Sequence, residues 1–305
     1  MKNYQTDHIR NIALLGNSKS GKTTLAESML LNGGLIERRG TVETRNTVSD
    51  YKPIEQENGN SIFSTVLYTE FQNHKINMLD TPGLDDFSGG VISSLHAADS
   101  AVILIGSHNG VEVGTEIHFR HADRAHKPVI FAANSLDHEK SHFDKTVEML
   151  KERFGNNVCL VQFPVAEGTG FNAVIDVMKM KMLRFPKEGG KSEAVEIPAE
   201  HKGKAEELHN ALVEKAAESE EKLMELFFEN ESLTEDQIIE GLVKGVATRG
   251  IFPVLCVSAR LNYGVDRLME FITLAAPKVT NMPAPVNSKG QEVKPLGSGP
   301  VSVFI

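Results

Sequence analysis

Nine residues near the N-terminus, Gly16–Thr24 (GNSKSGKTT), have the types and spacing needed to hold a polyphosphate. They fit the P-loop pattern GxxxxGK[ST]. Glycines at both ends let the backbone of Asn17, Lys19, Ser20 and Gly21 wrap around phosphate oxygens. Lys22 brings positive charge to the β and γ groups, and Thr23 offers its hydroxyl to Mg2+. Thr24 lies in the first turn of a helical pattern whose N-terminus favours an anion. A second group is DTPGLDDF, Asp80–Phe87. An aspartate at a strand end beside a P-loop holds Mg2+ through water, and the Gly83 amide is suited to the γ-phosphate, which makes the loop a sensor of that group. A third is NSLD, Asn134–Asp137. The Asp137 carboxylate can accept both N–H donors on the edge of guanine, whereas adenine lacks that donor pair and would leave the acid unmatched. The fourth is SAR, Ser258–Arg260, where Ser258 and Ala259 would support the base from the other side.

These groups need strand ends to present them. Short apolar runs precede them or lie between them, at Ile12–Leu15, Ile76–Leu79, Ala101–Ile105, Pro128–Ala132, Val158–Val161 and Pro253–Val257. Continuous runs of this length fit strands buried on both faces. Helix-period segments alternate with them, roughly Lys22–Leu31, Thr115–Ala125, Ser141–Phe154 and Val265–Leu274. Alternation of this kind predicts an α/β fold with a mostly parallel sheet flanked by helices. Four phosphate- or base-directed groups, in this order and each at a strand end, describe a P-loop GTP-binding fold of the Ras-like class.

The segment from about Phe163 to Gly245 breaks the rhythm. Ala205, Leu208, Leu212, Ala216, Leu223 and Phe227 fall at largely helical intervals among charges, which predicts an amphipathic helix or helical pair within an inserted α+β subdomain. The chain carries a net charge of −9, and the acidity is local. Lys191–Glu240 holds 15 acids and 5 bases, while the remaining 26 acids and 27 bases nearly cancel. A globally basic nucleic-acid binder is thereby excluded, and no DNA partner is expected. Two cysteines exclude a disulfide scaffold and suit a reducing, cytoplasmic setting. The N-terminal apolar run is too short for a signal peptide or a membrane span. The prolines and glycines beyond Pro277 read as a linker, and VSVFI at the end reads as the first strand of a following domain. The expected division is therefore a nucleotide-binding domain at 1–162 and 246–280, an acidic insert at 163–245, and a linker with the start of a β-barrel at 281–305.

The string EQENGNSI, Glu55–Ile62, resembles the switch segment EQExGIT[IV] of translational GTPases. The separation of 121 positions from Asp137 to Ser258, and the segment PVLCVSARLNYGVDRLMEFI, resemble elongation factor G and its relatives over about residues 8–280. The resemblance implies GTP and GDP as ligands with Mg2+ as cofactor. It implies Ser61, in place of the usual switch threonine, as a hydroxyl ligand to the metal beside Thr23 and Asp80. It also implies a monomeric ribosomal factor that works near the sarcin–ricin loop, with the acidic insert facing the stalk protein. A β-barrel domain comes next in that family.

The departures from the family pattern cluster. The sensor loop in the family reads DxPGHxDF, with the histidine orienting the attacking water; here that catalytic position is Leu84, which has no donor or acceptor. Two apolar residues that gate the histidine correspond to Ser18 and Asn60, both polar. Lys19 stands where the family carries an aspartate beside a monovalent cation, so its ammonium would supply that charge internally. Ser135 replaces the lysine of NKxD. Binding with weak or absent hydrolysis is the expectation, and a ribosome-protection module with a vestigial nucleotide site is the alternative.

Overall fold

The computed structural model describes residues 2–187 and 191–293. In chain order the main elements are β1 (Ile9–Leu15), α1 (Lys22–Asn32), α2 (Pro53–Asn58), β2 (Thr65–Phe71), β3 (His74–Asp80), α3 (Ser88–Ala97), β4 (Ser100–Gly106), α4 (Val113–Arg124), β5 (Val129–Asn134) and α5 (Phe143–Phe154). They continue with β6 (Val158–Leu160), β7 (Gln162–Pro164), β8 (Ala173–Asp176), β9 (Lys181–Arg184), β10 (Glu193–Val195), α6 (Ala199–Ala217), α7 (Glu221–Asn230), α8 (Glu235–Ala247), β11 (Phe252–Cys256) and α9 (Val265–Ala275).

A seven-stranded sheet in the order β2-β3-β1-β4-β5-β11-β6 forms the main body, and every pairing in it is parallel except β2 with β3. The central strands β4, β5 and β11 are buried along their whole length, as continuous apolar runs between two helical layers must be. Because β3 and β1 are neighbours, with Leu14 opposite Asp80, the loops after them meet at one edge of the sheet. Because β5 and β11 are neighbours, with Ala133 opposite Cys256, the NSLD and SAR segments meet in the same way. All four loops leave the carboxyl ends of parallel strands, where ligands bind in open α/β sheets.

β2 was not among the expected strands. It is an edge strand whose burial alternates, so its sequence TVLYTEF lacks the continuous apolar run of the central strands. It joins β3 through Gln72 and Asn73, both at positive φ (44° and 61°), which is the two-residue turn that suits a twisted hairpin.

The segment after β6 forms a four-stranded antiparallel sheet in the order β10-β9-β8-β7, followed by α6, α7 and α8. The expected helix or helical pair is thus three helices. Thr234 and Gln237 form a reciprocal capping box that starts α8. A buried ion pair fastens this subdomain to the main body. Arg267 Nε on α9 donates to Asp176 Oδ2 on β8 at 2.6 Å, with both side chains almost wholly buried. Burial would lower the Arg267 pKa, but the charges of Asp176 and Glu270 more than offset it, so the guanidinium stays ionised. Both cysteines are free and buried, and burial pushes the Cys159 thiol up to about 12. The expected terminal strand VSVFI lies outside the described residues. Within the expected linker, Val286 and Glu292 make an isolated antiparallel bridge around a turn at Gly290.

Candidate nucleotide site

The phosphate side of the site starts at the turn after β1. Gly16 and Gly21 take φ of 140° and 95°, values that strain any residue with a Cβ. A Cβ on Gly21 would also strike the Asn134 amide nitrogen. Lys19 lies in the left-handed region too (φ 62°), and its side chain is exposed. Lys22 folds back over the loop, and its Nζ donates to the carbonyls of Gly16 at 2.9 Å and Asn17 at 3.0 Å. The loop is braced from behind by α4. The Gly16 amide donates to Nδ1 of the buried His118 at 3.1 Å, and a Cβ on Gly114 would strike the Asn17 side chain. Burial and the charge of Lys22 hold His118 down to about 4, so the ring is neutral and available as an acceptor.

Thr23 stands at the junction of three segments. Its Oγ1 donates to Asp80 Oδ2 at 2.8 Å and lies 3.3 Å from Ser61 Oγ. Ser61 reaches that place because of Glu55. Helix α2 begins with Pro53 and ends at Gly59 (φ 62°), and the buried Glu55 carboxylate turns back to accept from the amides of Ile62 and Phe63, both at 3.0 Å. Further up the same segment, Glu27 on α1 accepts from the amides of Gly40 at 2.7 Å and Val48 at 2.6 Å. Arg39 donates to the carbonyls of Ala259 at 2.8 Å and Arg260 at 3.1 Å.

A cavity of about 330 Å3 opens above these groups; its lining includes Lys22, Thr23, Asp50, Ser61, Gly83 and Leu84. Ser18 and Asn60 also line it, and Ser18 Oγ donates to Asn60 Oδ1 at 3.4 Å. The three positions that depart together from the family pattern thus share one cavity with the phosphate-directed groups. Gly83 packs so close that a Cβ there would lie 2.8 Å from the backbone of Ser18 and strike the Lys22 ammonium.

The charges in the cradle are held out of water. Burial pulls Lys22 down to about 8 against the attraction of Asp80 and Asp50. Burial pushes Asp80 up to about 6 against hydrogen bonds from Ser49 and Thr23. Burial likewise raises Asp50. One carboxylate oxygen of each aspartate, Oδ1, is buried without a hydrogen-bond partner. Orphaned oxygens beside two hydroxyls make a hard, oxygen-only donor set, which fits Mg2+ carrying most of its own water. Among the described residues no cluster of three or more His, Cys, Asp or Glu side chains offers an all-protein cage. Sequence patterns did not single out Asp50; its signal is the acid just ahead of EQENGNSI.

On the base side, Asn134 bridges two loops. Its Nδ2 donates to Ser20 O at 2.8 Å, and its Oδ1 accepts from the Ala259 amide at 2.9 Å. Asn134 therefore spaces the P-loop from the SAR segment. Asp137 Oδ1 accepts from Ser258 Oγ at 2.6 Å, while Oδ2 accepts from Arg260. Ser135 sits at positive φ (61°) between them. The site residues read from the sequence thus gather along one edge of the sheet, with the phosphate group and the base group joined through Asn134.

Comparison with known proteins agrees with this geometry. The family model described as the elongation factor Tu GTP binding domain matches residues 7–278. The fold is similar to the crystal structure of a Thermus thermophilus protein designated ttk003000868, with a TM-score of 0.85 and 31% sequence identity. That match covers 90% of this chain and 41% of the other, so the chain spans less than half the length of the protein it resembles. The parallel sheet, the P-loop and the family match lead to one conclusion: the chain belongs to the elongation factor Tu GTP-binding-domain family, and it is a guanine-nucleotide-binding domain of the translational GTPase class.

Proposed function

We propose that this chain is the nucleotide-responsive part of an elongation factor G-like ribosomal factor in which GTP orders the switch segments and is hydrolysed slowly or not at all. The observation that carries the reading is the lining of the phosphate cavity, where Leu84, Ser18 and Asn60 surround the space next to Lys22 and Thr23. Leu84 cannot accept or donate a proton, and removing a water-orienting group typically costs ~10²–10⁴-fold in rate. The backbone of Asn17, Lys19, Ser20 and Gly21 and the first turn of α1, which includes Thr24, would wrap the phosphates. Lys22 would hold the β and γ groups, and the Gly83 amide would meet the γ-phosphate. Thr23, Ser61 and Asp80, with Asp50 behind them, would hold Mg2+, which neutralises charge on the β- and γ-oxygens when bound. Asp137 would select guanine, with Ser258 and Ala259 backing the base and Asn134 fixing their spacing. Lys19 would stand in for a monovalent cation.

In this reading residues 1–162 and 246–280 form the nucleotide-binding domain and 163–245 the acidic insert, which would face the ribosomal stalk protein. The sensor loop would approach the sarcin–ricin loop. Binding energy for the ribosome, rather than phosphate cleavage, would drive movement, and nucleotide release would reset the factor. The factor would act as a cytoplasmic monomer; no helix among the described residues is long and apolar enough to cross a membrane. Calorimetry with GTP, GDP and ATP in Mg2+, followed by co-sedimentation with ribosomes, tests the reading. Guanine-selective binding and GTP-dependent sedimentation are expected. Equal affinity for ATP, or sedimentation indifferent to nucleotide, would contradict it.

A further inference from the structure

The Asp137 carboxylate, read above as the acceptor for guanine, is engaged by a side chain of the same chain. Arg260 donates to Oδ2 through Nε at 3.0 Å and through Nη2 at 2.6 Å. Nε and Nη2 are two N–H donors on one carbon. Guanine presents the same arrangement, with its ring N1–H and exocyclic amine on one carbon, and adenine does not. The Arg260 fork therefore presents the donor pattern that Asp137 is expected to select. We infer that Arg260 is a built-in stand-in for the guanine edge, a latch that closes the base site of the free protein and must swing away for a guanine nucleotide to dock. The inference rests on the reading of Asp137 given above.

Three features suit Arg260 to this role. Its side chain is 75% exposed while that of Asp137 is 6% exposed, so the arginine can leave into solvent without disturbing a packed core. The loop that carries it is held independently. Arg39 binds the carbonyls of Ala259 and Arg260, Ser258 Oγ accepts from the Leu261 amide at 3.1 Å, and Ser258 and Tyr263 exchange backbone hydrogen bonds. The side chain can thus move while the backbone under the base stays in place. Finally, Ser258 occupies only part of the acceptor capacity of Oδ1, so both oxygens keep lone pairs for guanine once Arg260 departs.

A latch closed most of the time lowers apparent affinity by the fraction of protein that is open. An exposed arginine on a buried carboxylate makes a modest latch, so Arg260→Ala is expected to tighten GDP and GTP binding roughly threefold to tenfold. Arg260→Lys, which keeps the charge and loses the fork, is expected to fall between the two. Binding of inorganic tripolyphosphate with Mg2+, which does not use the base site, is expected to be no tighter in Arg260→Ala than in the wild type. A tightening for tripolyphosphate equal to that for GDP would overturn the latch.

A second readout needs no variant affinity. The Arg260 Nε–H resonance in nitrogen-15 NMR, assigned by its loss in Arg260→Lys, is expected to move on adding GDP and to stay in place on adding ADP or tripolyphosphate. A resonance unmoved at saturating GDP would overturn the proposal. Asp137→Asn separates the two layers. Loss of GDP binding with a gain for xanthosine diphosphate supports the base reading. If that occurs while Arg260→Ala binds GDP no better than the wild type, the latch is wrong and the base reading stands. If Asp137→Asn keeps full GDP affinity, the base reading fails and the latch fails with it.

Discussion

Asp80 offers the sharpest test of the cradle's electrostatics. Its carboxyl is fully buried and titrates at about 6 rather than 3.8. The folded protein therefore holds that proton more tightly than the unfolded chain does. Stability from this group is fully present below about pH 4 and is lost as the pH rises through about 6. At pH 7.5 the ionised carboxylate costs the free protein about 3 kcal/mol, from roughly two pKa units at 1.36 kcal/mol each. Asp80→Asn keeps the shape and keeps an oxygen to accept from Thr23, yet carries no charge. It also leaves Lys22 without its closest opposing charge, which discounts the gain to about 1–3 kcal/mol. For a domain of this size that is a rise of several degrees in Tm. Urea melts of both proteins without nucleotide, at pH 7.5 and at pH 4, give the answer. The variant should be more stable at pH 7.5 and nearly equal at pH 4. With Mg2+ and GTP added, the wild type should gain more than the variant, because in the proposed reading the carboxylate that destabilises the free protein is the one that would meet the metal. A variant less stable than the wild type at pH 7.5 would refute this reasoning.

Other perturbations probe other parts. Arg267→Ala leaves Asp176 charged and unpaired in the junction between the subdomains, and should cost about 3–5 kcal/mol by chemical denaturation; a loss under about 1 kcal/mol would mean water reaches the pair. Gly83→Ala places a methyl against Ser18 and the Lys22 ammonium. Because Lys22 is read as holding the β as well as the γ group, GDP binding should weaken too, and GTP binding should weaken roughly tenfold further through one lost charge-assisted hydrogen bond; equal losses for both nucleotides would remove Gly83 from γ-phosphate sensing. Leu84→His should raise ribosome-dependent phosphate release by ~10²–10⁴-fold. No gain would show that the Ser18–Asn60 contact, rather than position 84 alone, blocks the geometry.

The parallel strands were legible because burial on both faces demands apolar runs, which β4, β5, β6, β11 and the Ile12–Leu15 part of β1 have; β3, broken by Asn77 and buried alternately, was marked chiefly by the DTPG motif that follows it. The four loops were legible because phosphate and guanine impose residue types at fixed spacings. β2 was not, since an edge strand with one wet face alternates like many loops. The small antiparallel sheet of the insert was not, because its strands of three or four residues are shorter than any periodicity test can resolve. The anchors were the least visible. Glu27, Arg39 and His118 reach their partners across folded distance, and nothing in their neighbours along the chain marks an acid that caps a remote amide or a histidine that accepts from the P-loop. Arg260 was visible only as the third letter of SAR; its engagement with Asp137 depends on β5 and β11 lying side by side.

The central claim is that a guanine-nucleotide cradle persists beside a cavity where Leu84 stands in place of the water-orienting histidine. Single-turnover phosphate release from pre-bound GTP, measured with saturating ribosomes, tests it most directly. The account predicts that GTP stays bound and is released or cleaved at a rate the ribosomes barely change. Ribosome-stimulated cleavage as fast as that of a translational GTPase carrying histidine at the position of Leu84 would contradict it.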